Sequence, residues 1–353
     1  MKILYLFNRV RVGLEDKIVQ KRDHDGHFFG LFRLASHGVK AEYLEIEQFV
    51  PVWFARFLRT RVLNVHYIHL PLFLKMRKYD FVFTSTALGS LFVKAFLGLK
   101  RPRWVIFDYG LKGMMGTGVR LKQRALKFMV GRSDGIITIS PGEARDMRDM
   151  FPKLADKIEF LHLGVDTRFF TPDFELKEEE FALSPGRDPG RDLRTLAGAT
   201  HGLVPEIKIT AREWDPNKFG AAGRHIKRYD FSPVELREQY KRARLVILPL
   251  NMQGGLNDAM GCSTLVESLA MGKAIIATRT ETVSAYITHG ENGWLVPEGS
   301  EGALREAVNL LWNDEALRRR LGRAAREFAE EFCSADIFAH DLANYFKKNI
   351  NHE

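Results

Sequence analysis

Short unbroken apolar runs recur along this chain, separated by stretches in which apolar residues return every three or four positions. The first kind reads as strands buried on both faces, the second as amphipathic helices. In the first half the runs predict strands at residues 2–7, 40–46, 80–84, 103–107, 135–139 and 157–162. In the second half they predict strands at 180–185, 206–211, 225–229, 245–250, 273–278 and 293–297. Between them, 28–37 has helical periodicity and is closed by Gly38. Directly after one strand, Ser140 is placed to cap a helix, Pro141 to occupy its first position and Glu143 to complete a capping box. A strand running straight into a helix is the βα unit of a parallel sheet. A change of composition at 165–172, ending on Pro172 and leading into an acidic run, divides the series in two. The expected fold class is therefore α/β, with two Rossmann-like, doubly wound parallel-sheet domains facing across a cleft. They are expected at 1–165 and 166–334, with a C-terminal helical segment at 335–353 crossing back to the first domain. Such sheets bind ligands beyond the carboxyl ends of their strands.

Composition narrows the class. At 353 residues and 45% hydrophobic, the chain is long enough for two cores. Its two cysteines, Cys262 and Cys333, are far apart and outside any Cys/His cluster, which argues against a disulfide framework or structural zinc and fits a reducing compartment. The opening run breaks at Asn8 and Arg9 and reads as a first strand, not a signal peptide. No uncharged apolar stretch reaches the roughly 18 residues of a membrane-spanning helix.

The net charge of +9 is unevenly spread. Between 52 and 132 there are 16 Lys and Arg against two acids, Asp80 and Asp108, so the rest of the chain is mildly acidic. Positive charge that concentrated points to an anionic partner surface. Within it Trp53, Phe54, Phe57 and Phe73 are interleaved with Arg56, Arg59, Arg61, Lys75 and Arg77. Rings that settle at a bilayer interface beside cations that meet headgroups predict docking on an anionic membrane, with the protein cytoplasmic and peripheral on the inner face. No nucleic-acid-binding motif accompanies the charge, so nucleic acid is not an expected partner. The plainer alternative is a solvated basic face over core aromatics.

Candidate chemistry lies in both halves. In "LSPGRDPGRDLRTLAGA" a strand ends in Gly186 and Arg187, and Arg191 precedes the next helix. Glycine lets backbone approach a ligand and arginine forks onto phosphate oxygens, although a single Gly-Arg pair also reads as surface arginine. In "LNDAMGCSTLVESLAMGKAIIAT" a loop ending at Gly261 leads into a helix beginning near Ser263 and Thr264. Its free amides and positive dipole end suit an anion such as a diphosphate, and Glu267, about one turn further in, suits the vicinal hydroxyls of a ribose. In the first half Asp108 ends a strand and is a candidate catalytic or acceptor-orienting acid, with helix capping as the alternative. His24 and His27 are further catalytic candidates, with capping or surface roles as alternatives. Asp25 is read as an N-cap before Gly26 rather than as half of a metal-binding pair with Asp23. The glycines at 110, 113, 116 and 118 predict a mobile gating or acceptor loop that feeds a basic helix.

Four segments in sequence resemble a known family: "SDGIITISPGEARDMRDMFP", "IEFLHLGVDTRFFTP", "LSPGRDPGRDLRTLAGA" and "STLVESLAMGKAIIATRTETVSAYITHGENGWLVPEGSEGAL". From Ser133 onward the chain is similar to nucleotide-sugar-dependent glycosyltransferases of family 4, which have the two-domain GT-B fold; before that, only strand-helix alternation matches. The resemblance implies that Glu267 binds the donor ribose, that Arg187 and Arg191 hold its diphosphate and that the backbone from Tyr229 to Phe231 meets the base. It also implies retention of anomeric configuration and no required metal or other cofactor. The donor would be a nucleoside-diphosphate sugar, with UDP the expected carrier, and the acceptor lipid-linked or a glycan at the cytoplasmic membrane face. One departure concerns the donor sugar: where the family has a second glutamate, this chain has Ala259, with Asp258 beside it as a substitute or Gly254 and Gly255 offering amides. The alternatives are a non-catalytic scaffold on the same fold and a sugar-nucleotide epimerase or phosphorylase, the last without a lysine placed for pyridoxal.

Overall fold

The computed structural model describes residues 1–62, 67–85, 87–116, 120–252 and 259–350. The first sheet contains β1 (Lys2–Leu6), β2 (Lys40–Tyr43), β3 (Phe81–Thr84), β4 (Arg103–Asp108), β5 (Gly135–Thr138) and β6 (Ile158–Phe160). The second contains β7 (Glu179–Ser184), β8 (Ile207–Ile209), β9 (Ile226–Arg228), β10 (Ala243–Leu248), β11 (Ile275–Thr278) and β12 (Trp294–Val296). The orders are β2-β1-β3-β4-β5-β6 and β12-β11-β10-β7-β8-β9, with every neighbouring pair parallel. Each expected strand is present, because an unbroken apolar run is stable in a parallel sheet only when both faces are covered.

By contacts the chain divides into two compact units, one of residues 1–21, 27–161 and 338–353, the other of 22–26 and 162–337. In the first unit, Leu4, Leu6, Val82, Trp104, Ile106 and Ile136 of one sheet face share a single core with Leu72, Met76, Leu88, Leu91, Leu126 and Met147. The helices Phe73–Met76, Leu88–Phe96, Arg120–Val130 and Pro141–Met150 therefore form one layer on that face. Phe81 and Phe107 point to the other face, where they meet Phe346 and Phe338 of the helix Ala335–Ile350 at ring distances of 5.0 and 5.9 Å. In the second unit Ala182, Ile207, Leu245, Ile247 and Ile276 pack against Leu196 of the helix Leu193–Thr200 and Leu304 and Val308 of the helix Glu301–Asn313.

Two local expectations are corrected. Residues 28–37 do not form one α-helix: Asp25–Phe28 and Leu31–His37 are 3-10 turns separated by Phe29 at φ 48° and Gly30 at φ 75°. A Cβ on Gly30 would lie 3.2 Å from that of Ala339, so close packing on the C-terminal helix, invisible to periodicity, breaks the segment. Gly38 does close it, at φ 75°. The expected glycine-rich loop instead starts with a helix, Leu111–Gly116, whose Leu111 and Met115 enter the core.

Candidate functional site

In the second sheet the strand order reverses between β7 and β10, and ligands of open parallel sheets bind outside the carboxyl ends at such a point. The chain there is tightly tied. Gly186, just past β7, takes φ 118° and donates its amide to Thr210 Oγ1 at 2.8 Å. Asn251, past β10, donates to the Gly190 carbonyl at 2.8 Å, and Arg191 bridges to Leu250. These bonds hold Arg191 8% exposed under the N-terminus of the helix Cys262–Ala270.

Arg191 Nη2 donates to Thr264 Oγ1 at 2.6 Å and to Asp188 Oδ2 at 3.2 Å. Its Nε and Nη1 are buried and find no partner among the described residues. Burial depresses the guanidinium pKa, chiefly opposed by Asp188. A Cβ on Gly186 would strike this guanidinium, so glycine is needed there for space as well as for its backbone angle. Gly261 is the left-handed N-cap of the helix at φ 80°, and Thr264 Oγ1 donates to its carbonyl at 2.9 Å. Ser263 is exposed in the first turn. A cavity of about 350 Å³ opens where Arg191 lies, lined in part by Gly190, Arg191, Arg194, Phe219 and Asn251.

Glu267 is half-buried below Arg191 and accepts from the Tyr240 hydroxyl on Oε2 at 3.2 Å. Burial pushes its carboxyl up to about 7, with Tyr240 and Arg191 pulling the other way. Arg187 does not join this group: it is exposed and paired with Asp230. Tyr229 and Phe231 stack, ring centroids 5.1 Å apart and planes within 7°, and the Tyr229 hydroxyl donates to Glu206 Oε1 at 2.8 Å. Asp258, with Gly254 and Gly255, lies outside the described residues, while Ala259 is buried. Tyr240, Thr210 and the Phe219 wall were not legible as site residues. Nothing near Tyr240 in sequence separates it from the other apolar positions of its amphipathic helix.

The candidates expected in the first half of the chain are dispersed, and His24 falls with residues 22–26 in the second unit. Asp108 is fully buried and its Oδ1 accepts from the amides of Gly110 and Leu111 at 2.8 and 2.7 Å, capping the helix that follows. His24 packs its ring on Phe169 and Phe170, while His27 lies in a 3-10 turn and its carbonyl accepts from Arg11 Nε at 3.1 Å. Trp53 and Phe54 are exposed on the helix Val52–Phe57, next to exposed Arg56, with exposed Arg61 in the π-helical turn that follows. Lys75 lies over the Phe49 ring at 3.4 Å and Arg77 is exposed. Arg59 departs from the expected surface role: it is largely buried, and its Nη2 donates to Glu47 Oε2 at 3.0 Å.

Two doubly wound sheets, the second with a basic pocket at its reversal point, define the GT-B class. Residues 19–169 match the model of the family Glycosyltransferase Family 4, and residues 222–328 match that of Glycosyl transferases group 1. Both halves of the chain are thus similar to glycosyltransferases of the family 4 kind, and the fold is GT-B. The first match extends the likeness into the region where the motifs showed only strand-helix alternation. A D-inositol 3-phosphate glycosyltransferase of Corynebacterium glutamicum is 30% identical over 260 residues, 64% of this chain and 60% of the relative. An exopolysaccharide phosphotransferase of Streptomyces coelicolor is 34% identical over 117 residues, 33% of this chain and 12% of that protein. The chain thus spans a small part of the second and about half to three fifths of the inositol phosphate glycosyltransferases it matches. In fold it is similar to sucrose-phosphate synthase of Thermosynechococcus elongatus, with TM-score 0.70 over 99% of both chains at 15% identity. It is also similar to the Anabaena protein HepE in complex with UDP-glucose, with TM-score 0.67 over 99% and 100% of the chains at 13% identity.

Proposed function

We propose that this chain transfers a sugar from a nucleoside-diphosphate donor, a UDP-sugar, to a lipid-linked or glycan acceptor at the cytoplasmic membrane face, with retention of configuration. The observation that carries the reading is Arg191, a buried cation under a helix N-terminus with two donors that find no partner among the described residues. When the bond from sugar to diphosphate breaks, negative charge grows on the leaving phosphate. Fixed donors already aimed at that charge lower the barrier without reorganising. Arg191 and the first turn at Ser263 and Thr264 are those donors, with Gly261 allowing close approach, and Arg187 joins them if it leaves Asp230. Glu267 takes the ribose hydroxyls, best when ionised, and the stacked Tyr229 and Phe231 mark the place of the base. The reading includes no metal. The UDP-glucose complex of HepE supports the choice of carrier. Ala259, whose methyl offers a sugar hydroxyl nothing, favours the scaffold alternative.

Thermal unfolding with UDP, GDP and ADP separates the two. Stabilisation by UDP above the others, together with UDP release from at least one of a panel of UDP-sugars, is the expected outcome. Indifference to all three nucleotides would leave a non-catalytic scaffold.

A further inference from the structure

The 16 cations between 52 and 132 are not evenly placed in the first unit. Some are internal: Lys94 pairs with Asp134 at 2.6 Å, Arg59 with Glu47, and Arg103 donates to the Asn349 carbonyl. The helices Leu88–Phe96 and Arg120–Val130 send Leu88, Leu91, Leu126 and Val130 into the core they share with Leu72 and Met76. Their outer sides ought then to be polar. Instead Leu74, Phe92, Phe96, Leu97, Leu121 and Phe128 are exposed, Phe96 by 79% and Leu121 by 76%. Among the described residues the exposed Arg77, Lys78, Arg124 and Lys127 have no ion pair, and Arg132 lies over the Phe128 ring at 5.0 Å. One helical layer thus presents large apolar side chains set among unneutralised cations. Isolated exposed apolar residues are ordinary, but this many on neighbouring helices of one layer mark an interaction surface.

We infer that the outer side of the helices Leu88–Phe96 and Arg120–Val130 is a docking surface for an anionic lipid bilayer, with Phe96, Leu97, Leu121 and Phe128 entering the interface and Arg77, Arg124 and Lys127 meeting the headgroups. Charge selects the occupant: the helices Leu88–Phe96 and Arg120–Val130 contain no acid, and the acids of the neighbouring helix Pro141–Met150 include Asp146, which is paired with Lys112, and the exposed Asp149. A second copy of the chain would bring the same positive face and be repelled, whereas a bilayer accepts rings and cations together. The surface differs from the segment first singled out around Trp53, whose helix rests on a separate small cluster of Ile46, Ala55 and Ile68. It deepens the reading of a membrane-face acceptor and would bring the chain to its substrate's plane.

The full chain is sedimented with vesicles of phosphatidylcholine alone and of equal parts phosphatidylcholine and phosphatidylglycerol. Binding to the anionic vesicles only is expected, with Phe96→Glu/Leu121→Glu weakening it by at least about tenfold and Arg124→Glu/Lys127→Glu doing likewise. Both positions of each pair are exposed, and an unchanged melting temperature with unchanged UDP response in both variants establishes that they fold. Equal binding to the two vesicle types, wild-type binding by the folded variants, or equal retention on duplex DNA would overturn the proposal. So would a wild-type dimer that the first variant dissolves while vesicles are ignored. Failure of the UDP response in wild type, with vesicle binding intact, would strike the donor reading alone.

Discussion

At the strand ends of the first sheet, Glu45 takes the amides of Arg11 and Val12 at 2.8 and 3.2 Å, and Asp108 takes those of Gly110 and Leu111. At the ends of β7 and β10, Arg191 is also buried but keeps Nε and Nη1 without a partner among the described residues. Both arrangements put a charge in a low-dielectric place at the ligand-binding end of a parallel sheet. The difference lies in who answers the charge. Backbone amides are fixed when the loop folds, so a carboxylate that engages them is part of the architecture. An arginine left with open donors is costly until an anion arrives. Buried charge alone therefore does not identify a site; a buried cation with open donors at a strand-order reversal is a candidate for one.

The largest effect that could break this comparison is on ligand binding. Arg191→Met should lower UDP affinity by about a hundredfold or more by calorimetry, since a desolvated charge partner is lost. A change below threefold would make Arg191 structural and erase the contrast. Next, Asp108→Ala should cost about 1–2 kcal/mol of stability in a denaturant titration, as expected for a lost helix cap, with UDP affinity intact. Normal stability with lost sugar transfer would instead restore Asp108 as a catalytic acid.

A smaller effect sharpens the second site. Burial raises the folded Glu267 carboxyl from its ordinary value of 4.5 to about 7, so the folded chain holds that proton more firmly than the unfolded one. Its stabilising contribution is full below about pH 4.5 and is lost as pH rises through about 7. Glu267→Gln should therefore be more stable than wild type at pH 8, by on the order of 1–2 kcal/mol after allowance for partial exposure, and equal to it near pH 4.5. Parallel stability curves for the two proteins would remove the burial argument. Smallest of all, Arg187→Ala should change stability by less than about 0.5 kcal/mol, as for other exposed pairs. Any loss of UDP affinity without loss of uridine affinity would show that Arg187 leaves Asp230 for the diphosphate.

The sequence by itself determined the two series of strands, the glycine at 261 ahead of the helix holding Glu267, and the concentration of positive charge before residue 132. These follow from local rules: an unbroken apolar run needs cover on both faces, a left-handed turn favours glycine, and charge is additive along a chain. It also placed Arg187, Arg191 and Glu267 in one half, but could not rank the two arginines. Only the tertiary structure buried Arg191 between Asp188 and Thr264 and left Arg187 on the surface with Asp230. In the same way it drew Arg59 inward to Glu47, broke 28–37 at Gly30 against Ala339, and raised Phe96 and Leu121 out of helices that periodicity alone would call ordinary. The physical reason is common to all four. Burial depends on what long-range folding brings against a side chain, and no local pattern encodes the neighbour that arrives from elsewhere in the chain.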